Sequence, residues 1–266
     1  LPDPSFQQPI GMPFIELQTV DSTNNYAFSQ IHAGLAQHGT AIFAHEQTAG
    51  RGQRGKKWVS PVGSAIALSL VIKPAPLALT RQFQLSACIA VSVLEWFKTY
   101  AGENVKIKWP NDLYWKDRKA GGILIESLVN SPESLVRSQE PTVGSWQWAV
   151  IGIGVNINQD SFPPDLPNPV SLRQITGQRF DTVEMAKELC IVFDRWFERL
   201  IREGFESIYE KYISSLYKRN EKVKLKKGSR VFEATVKSVS TDGKLIIVHG
   251  VEEEVDFGAV TWMPDA

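Results

Sequence analysis

KWPNDLYWKDRKAGGILIE (residues 108–126) sets a proline turn, a lysine and a glycine pair within one short stretch. Pro110 followed by Asn111 and Asp112 is turn chemistry: proline presets φ, and the two short polar side chains can bond the nearby backbone. VKIKWP (105–110), LYW (113–115) and GGILIESL (121–128) therefore read as short strands joined by tight turns. Lys119 stands just before Gly121 and Gly122, at the mouth of the third strand. A lysine placed there has two readings. It snorkels to the surface beside Lys116 and Arg118, or it reaches into a pocket where its ammonium neutralises a carboxylate and a phosphate together.

Upstream, GRGQRGKKW (50–58) puts Arg51, Arg54, Lys56 and Lys57 among Gly50, Gly52 and Gly55 and closes on Trp58. Cations, exposed amides and glycines suit a polyphosphate or an acyl phosphate. The order does not match GxxxxGK[ST], so it is no P-loop. A solvated basic hairpin and a basic arm for nucleic acid are the alternatives. Downstream, Gly152 and Gly154 interrupt the strand pattern of IGIGVNIN (151–158), which weakens a strand unless something packs closely there. Asn156 and Asn158 alternate with apolar residues and so share a face. An asparagine amide matches the donor–acceptor edge of adenine, or it satisfies a neighbour in the core. In DSTNN (21–25), Ser22, Thr23 and Asn24 can cap a helix.

The remaining pattern alternates strands and helices. FIELQTV (14–20), TAIFAHEQ (40–47), SAIALSLVIK (64–73) and WAVIGIGVNIN (148–158) read as strands. Helices are expected from Ser22 to about Gly34, from a Thr80 cap to about Tyr100, at 171–177, at 182–203 and over 205–218. The 182–203 helix is expected to bury Met185, Leu189, Val192, Trp196 and Leu200. Residues 1–13, with four prolines, read as an extended arm, and 130–145 as a hairpin insertion. From Lys222 the composition shifts to short alternating strands around the turn TDGK (241–244), which predicts a small β-barrel and a boundary near Asn220.

Composition excludes little. Lys plus Arg and Asp plus Glu are both 29, so an anionic partner would need local clusters. Cys88 and Cys190 lie in apolar, helix-periodic stretches and read as buried, reduced thiols. No Cys/His spacing suggests zinc, and no apolar run approaches a membrane span. The start lacks the basic and apolar regions of a signal peptide.

The order STNN, glycine–arginine loop, KWPND, KAGGILIE, GIGVNIN over residues 14–160 closely resembles the biotin protein ligase family. The resemblance implies a mixed α/β catalytic domain related to class II aminoacyl-tRNA synthetases, with helices flanking a mixed sheet (1–220). A small SH3-like β-barrel follows (221–266). It implies a cytoplasmic enzyme that makes biotinyl-AMP from biotin and Mg-ATP, then biotinylates a lysine of the biotin carboxyl carrier protein of acetyl-CoA carboxylase. By the same resemblance Ser22, Thr23, Asn24 and Gln47 hold the biotin head, with Gly50, Arg51, Gly52, Gly121 and Gly122 along the rest of the molecule. Arg51, Gln53, Arg54 and Lys56 meet the adenylate, Trp58 stacks on adenine and Asn156 reads its edge. Asn111 and Asp112 handle phosphate and Mg2+. Lys119 and Arg51 carry catalysis, Lys119 contacting both the biotin carboxylate and the α-phosphate.

Two departures stand out. Many members have arginine where this chain has Gln53, which removes a charge from the loop. Only about 20 residues precede the first motif, too few for the helix-turn-helix of the repressor type, so the expectation is a monofunctional ligase without a nucleic-acid or membrane role. A homodimer is compatible with this reading. The rivals are a lipoate or octanoate ligase on the same fold, a nucleic-acid-binding module and a non-catalytic biotin-binding regulator.

Overall fold

The computed structural model describes residues 8–129 and 146–263, so the segment expected as a hairpin insertion, 130–145, lies outside the described residues. Strands β1 (Phe14–Val20), β2 (Ala41–Gln47), β3 (Ala65–Ile72), β4 (Val105–Lys108), β5 (Asp112–Trp115), β6 (Arg118–Val129) and β7 (Trp146–Asn156) form one sheet in the order β1-β2-β3-β7-β6-β5-β4. β1 and β2 run parallel and the other neighbours antiparallel. Every residue of β3 is buried, because helices cover both faces of the sheet there and a continuous apolar run is what such a strand needs.

The two faces follow from strand parity. Ile66, Leu68, Leu70 and Ile72 of β3 join Ile151, Ile153 and Val155 of β7 in the main core. Helices α2 (Gln82–Ala101) and α4 (Thr182–Glu203) close it with Leu85, Ile89, Phe97, Leu189 and Phe193. On the other face Val71, Ile42 and Val150 pack under Ala27 of α1 (Thr23–His32). Further along that second face lie Ser69, Gly152, Gly154 and Asn156, where the sheet meets the first turn of α1 and then the glycine–arginine loop.

Several expectations need correction. α2 starts at Gln82 with Arg81 in the cap position, because Leu79–Arg81 forms a 3-10 turn that takes Thr80. On α4 the fully buried row is Met185, Leu189, Phe193, Phe197 and Leu200, while Val192 and Trp196 are only half-buried. The i, i+4 spacing of the large aromatic residues sets that stripe. β6 begins at Arg118, so Lys119 is inside the strand and not before it. β7 ends at Asn156, so Asn158 does not continue its face; Asn158 instead exchanges hydrogen bonds with the Phe180 backbone. Helix α3 (Leu172–Thr176) matches, but α5 (Glu206–Ser214) stops four residues early.

Beyond Lys222, strands β8 (Lys222–Lys227), β9 (Arg230–Val239), β10 (Leu245–Val248), β11 (Glu252–Val255) and β12 (Thr261–Trp262) make a five-stranded sheet in the order β11-β10-β9-β8-β12. Its buried residues join the core of the first unit in one continuous apolar cluster. Trp109 Nε1 donates to Gly243 O at 2.9 Å, Phe257 packs edge-on against Trp109, and Tyr209 donates its hydroxyl to Val239 O at 2.6 Å.

The two cysteines are free and buried, and burial pushes both thiols well above their ordinary range, Cys190 to about 12. Beside Cys190 on α4, Asp194 accepts the Ile10 N–H at 2.9 Å and so ties the N-terminal segment to the core. Burial, aided by Glu198, raises the Asp194 carboxyl above its usual value against the lowering effect of that hydrogen bond. A raised carboxyl favours the native state fully below its unfolded value and loses that advantage as pH rises through the native one. Asp194→Asn keeps an acceptor for Ile10 and removes the charge. It is expected to flatten the fall in melting temperature across the weakly acidic range; an unchanged slope would exclude Asp194 as its source.

Candidate functional site

Three glycines make a bare floor on the second face of the sheet. Gly152 and Gly154 alternate along β7, and Gly122 of β6 pairs with Gly154. A different group sits over each, and an added Cβ would collide with it. At Gly152 the Cβ would lie 2.5 Å from Asn24 Oδ1, at Gly154 2.6 Å from the Trp58 ring, and at Gly122 3.0 Å from Asp112 Oδ1. Two residues along a strand span about 7 Å and neighbouring strands stand about 5 Å apart. The polar slot, the aromatic lid and the charged pair are therefore neighbours on one surface.

Over Gly152 the first turn of α1 supplies a buried polar network. Ser22 occupies the N-cap position, yet its side chain makes no capping bond. Gln47 Oε1 takes that role, accepting from Thr23 N–H at 2.8 Å and from the Thr23 hydroxyl at 3.2 Å. Ser69 Oγ donates to Asn24 Oδ1 at 2.6 Å and shares a 2.7 Å hydroxyl–hydroxyl bond with Thr23. Asn24 Nδ2 donates to Glu126 Oε2 at 2.8 Å. Glu126 in turn pairs with Arg51 at 2.5 Å, and Arg51 also donates to Asn25 Oδ1 at 2.6 Å. Ser22, Thr23, Asn24 and Ser69 are all buried, so the slot is polar and dry.

Over Gly154 the glycine–arginine loop folds back as a tight hairpin. Gly52 N–H donates to Lys56 O and Trp58 N–H to Gly50 O, with a 3-10 turn at Gln53–Gly55. Arg54 and Gly55 at the tip both take positive φ. Gln53 Nε2 pins the hairpin to the sheet, donating to Asn111 Oδ1 at 2.6 Å and Ile123 O at 2.9 Å. Arg54 lies against the Gly258 backbone of the second unit. Lys56 and Lys57 are exposed and form no ion pair among the described residues. A cleft of about 350 Å³ opens along Gln47, Gly50, Arg51, Lys56 and Trp58. A larger depression on α4 is lined by charges that pair with each other, Arg199 with Glu203 and Arg202 with Glu198, and offers no convergent polar group.

Over Gly122, Lys119 Nζ pairs with Asp112 Oδ2 at 2.7 Å, both side chains about a third exposed. Gly121 has another reason for lacking a side chain: its Cβ would strike Gly154 O at 2.7 Å, inside the sheet. At the end of β7, Asn156 donates to Val170 O at 3.2 Å and accepts from Gln159 Nε2 at 3.0 Å. Asn156 is thus partly satisfied by protein, with one N–H and one lone pair to spare.

The motifs are thereby brought to one surface. Residues 16–136 match the biotin/lipoate A/B protein ligase family. The biotin–[acetyl-CoA-carboxylase] ligase of Paracoccus denitrificans is 31% identical over 238 residues, 87% of this chain and 92% of that protein. The chain belongs to the biotin protein ligase family.

A solved biotin protein ligase from Aquifex aeolicus in complex with biotin and ATP superposes with a TM-score of 0.76 at 26% identity, covering 96% of this chain and all of that one. The bifunctional ligase/repressor BirA of Bacillus spizizenii is 32% identical over 202 residues, 75% of this chain. This chain spans 58% of the length of that relative. The mixed α/β sheet flanked by helices and the separate C-terminal sheet are those of biotin protein ligase structures.

Sequence reasoning missed Ser69, Asn25, Glu126 and Gln159. A signal existed for two of them. Ser69 is a lone hydroxyl in an otherwise apolar strand, and Glu126 shares the parity of Gly122 on β6. Asn25 stood inside the DSTNN motif without a role assigned to it, and Gln159 carried no comparable mark.

Proposed function

We propose that this chain is an ATP-dependent biotin protein ligase, forming biotinyl-5′-AMP and passing the biotinyl group to a lysine of a carrier protein. The observation that carries the reading is the adjacency of a dry polar slot, an aromatic lid and a lysine over the Gly152–Gly154–Gly122 floor. A ureido ring needs donors and acceptors in an enclosed pocket, and Ser22, Thr23, Asn24 and Gln47 present both. A linear lipoyl or octanoyl chain has no use for them.

In the first step a biotin carboxylate oxygen attacks the α-phosphorus and the bond to pyrophosphate breaks. Two anions must approach, and Lys119 offsets their repulsion while Arg51 and the loop cations hold charge on the phosphates. Trp58 stacks on adenine beside Gly154, and Asn156 meets the edge of the base. In the second step the carrier amine attacks the acyl carbon, the bond to phosphate breaks, AMP leaves and the amine loses a proton to solvent. Among the described residues no three acidic, His or Cys side chains converge as a metal site. Asp112 therefore fits Mg2+ only as an ion that arrives with the nucleotide, held by one carboxylate and phosphate oxygens. Bound there, the ion would neutralise phosphate charge.

Residues 1–220 would form the catalytic unit and 221–266 an SH3-like unit, a division supported by the absence of shared strands between the two sheets among the described residues. The carrier of acetyl-CoA carboxylase, in the cytoplasm, is the expected partner, and a homodimer remains compatible. No helix of the described residues is long and apolar enough to cross a membrane.

The test is transfer: with ATP and biotin, a biotin carrier domain should gain one biotinyl group at a single lysine by mass spectrometry. Adenylate formation without any transfer to the carrier would contradict the second step. Gln53 supports a further expectation. Gln53→Arg adds a cation beside the phosphate, and bound biotinyl-AMP is expected to dissociate at least roughly tenfold more slowly, the worth of one charge-assisted hydrogen bond. An unchanged dissociation rate in a chase experiment would show that position 53 does not reach the adenylate.

A further inference from the structure

Behind Asn156 lies a directed chain of amides. Val170 O can only accept, so it fixes Asn156 with Nδ2 toward it. That orientation turns Asn156 Oδ1 toward Gln159, which must answer with Nε2. Gln159 is itself buried, 3% exposed, and its backbone carbonyl accepts the Ser171 hydroxyl at 2.6 Å. Its Oε1 is left buried with no partner among the described residues. A lone buried acceptor is costly and calls for a reason. Flipping the Gln159 amide would relieve nothing, because Oε1 would then face Asn156 Oδ1.

We infer that Gln159 is a positioning residue for nucleotide recognition, holding Asn156 in the one orientation that presents its spare N–H and lone pair to the base. This rests on the proposed ATP chemistry and deepens it. Asn156 is two residues from Gly154, the glycine under Trp58, and shares its face of β7. A base stacked on Trp58 brings its edge to that amide. An adenine edge offers an amino donor beside a ring acceptor, the complement of a fixed amide. A 6-oxo purine offers the reverse and is refused only while the amide cannot turn. Two anchors resist the turn: a reversed Asn156 would set its Oδ1 against the Val170 carbonyl, and it would lose the hydrogen bond from Gln159 Nε2 that holds Oδ1 from the other side. The same constraint accounts for the unpaired Oε1, since the orientation that serves Asn156 leaves no donor for it.

The test uses Gln159→Met, which keeps length and volume but cannot donate, and Gln159→Glu, which puts acceptors toward Oδ1. Biotin-dependent pyrophosphate release is measured with ATP and with ITP, alongside biotin affinity and melting temperature. Both variants are expected to raise the KM for ATP about tenfold, with kcat little changed. The preference for ATP over ITP should fall by a similar factor, with biotin affinity intact. Gln159→Asn, a shorter donor, should recover part of the preference. If KM and the ATP/ITP preference stay at the parent values in Gln159→Met, Gln159 does not position the base reader. If biotin affinity and ATP affinity fall together with melting temperature, its role is packing alone, and the inference is overturned. A parent protein that releases no pyrophosphate with either nucleotide would instead overturn the ligase reading on which this inference stands.

Discussion

Lys119→Ala is expected to fold with a near-parental melting temperature and to release pyrophosphate about 10²- to 10³-fold more slowly with saturating biotin and ATP. The size is that of removing one preorganised charge from a reaction between anions. The fold should tolerate it because the side chain is about a third exposed and its ion-pair partner, Asp112, can regain water. The floor beneath remains glycine, so truncation displaces nothing. Biotin affinity should weaken far less than the rate, since the head-group slot over Gly152 does not include the lysine. Near-parental release by this variant would remove Lys119 from the chemistry.

Gly152→Ala and Gly154→Ala should separate the two ligands. Each adds one methyl group to a strand whose backbone accepts alanine, so any effect comes from what lies above it. The methyl at 152 would press on Asn24, which Ser69 and Glu126 hold in place, and biotin affinity should fall by at least about tenfold, the worth of the hydrogen bonds disturbed. The methyl at 154 would lift the Trp58 ring. Base stacking is worth about 1–3 kcal/mol, so ATP affinity should drop roughly tenfold to a hundredfold while biotin binds nearly as before. Titration calorimetry of each ligand on each variant reads this directly. Matching losses of both ligands in both variants would mean that the floor is one undivided pocket.

Much of this arrangement was legible in the residues. Glycines in the IGIGVN strand demanded a close neighbour, and Asn24 and Trp58 are those neighbours. The strands around β3 were legible because unbroken apolar runs leave few alternatives. What escaped was set by partners distant in sequence. Nothing local says that Gln47, 24 residues away, would cap α1 and free Ser22, or that Glu126 would bridge Asn24 and Arg51. The periodicity of α4 does not single out its buried stripe, because Val192 and Trp196 fit the period as well as Phe193 and Phe197, and only packing against α2 and the sheet decides between them. The position of Asn158 is not legible locally because a strand end depends on pairing, and the Ser64 carbonyl takes both the Ile157 and Asn158 amides just past β7.

The central claim is that the slot over Gly152 selects biotin for activation by ATP. The most direct measurement is ATP-dependent pyrophosphate release with biotin, lipoate and octanoate offered separately to the unmodified chain. Release with biotin alone is the predicted result. Release with lipoate or octanoate but not biotin would contradict the account and assign the polar slot another purpose.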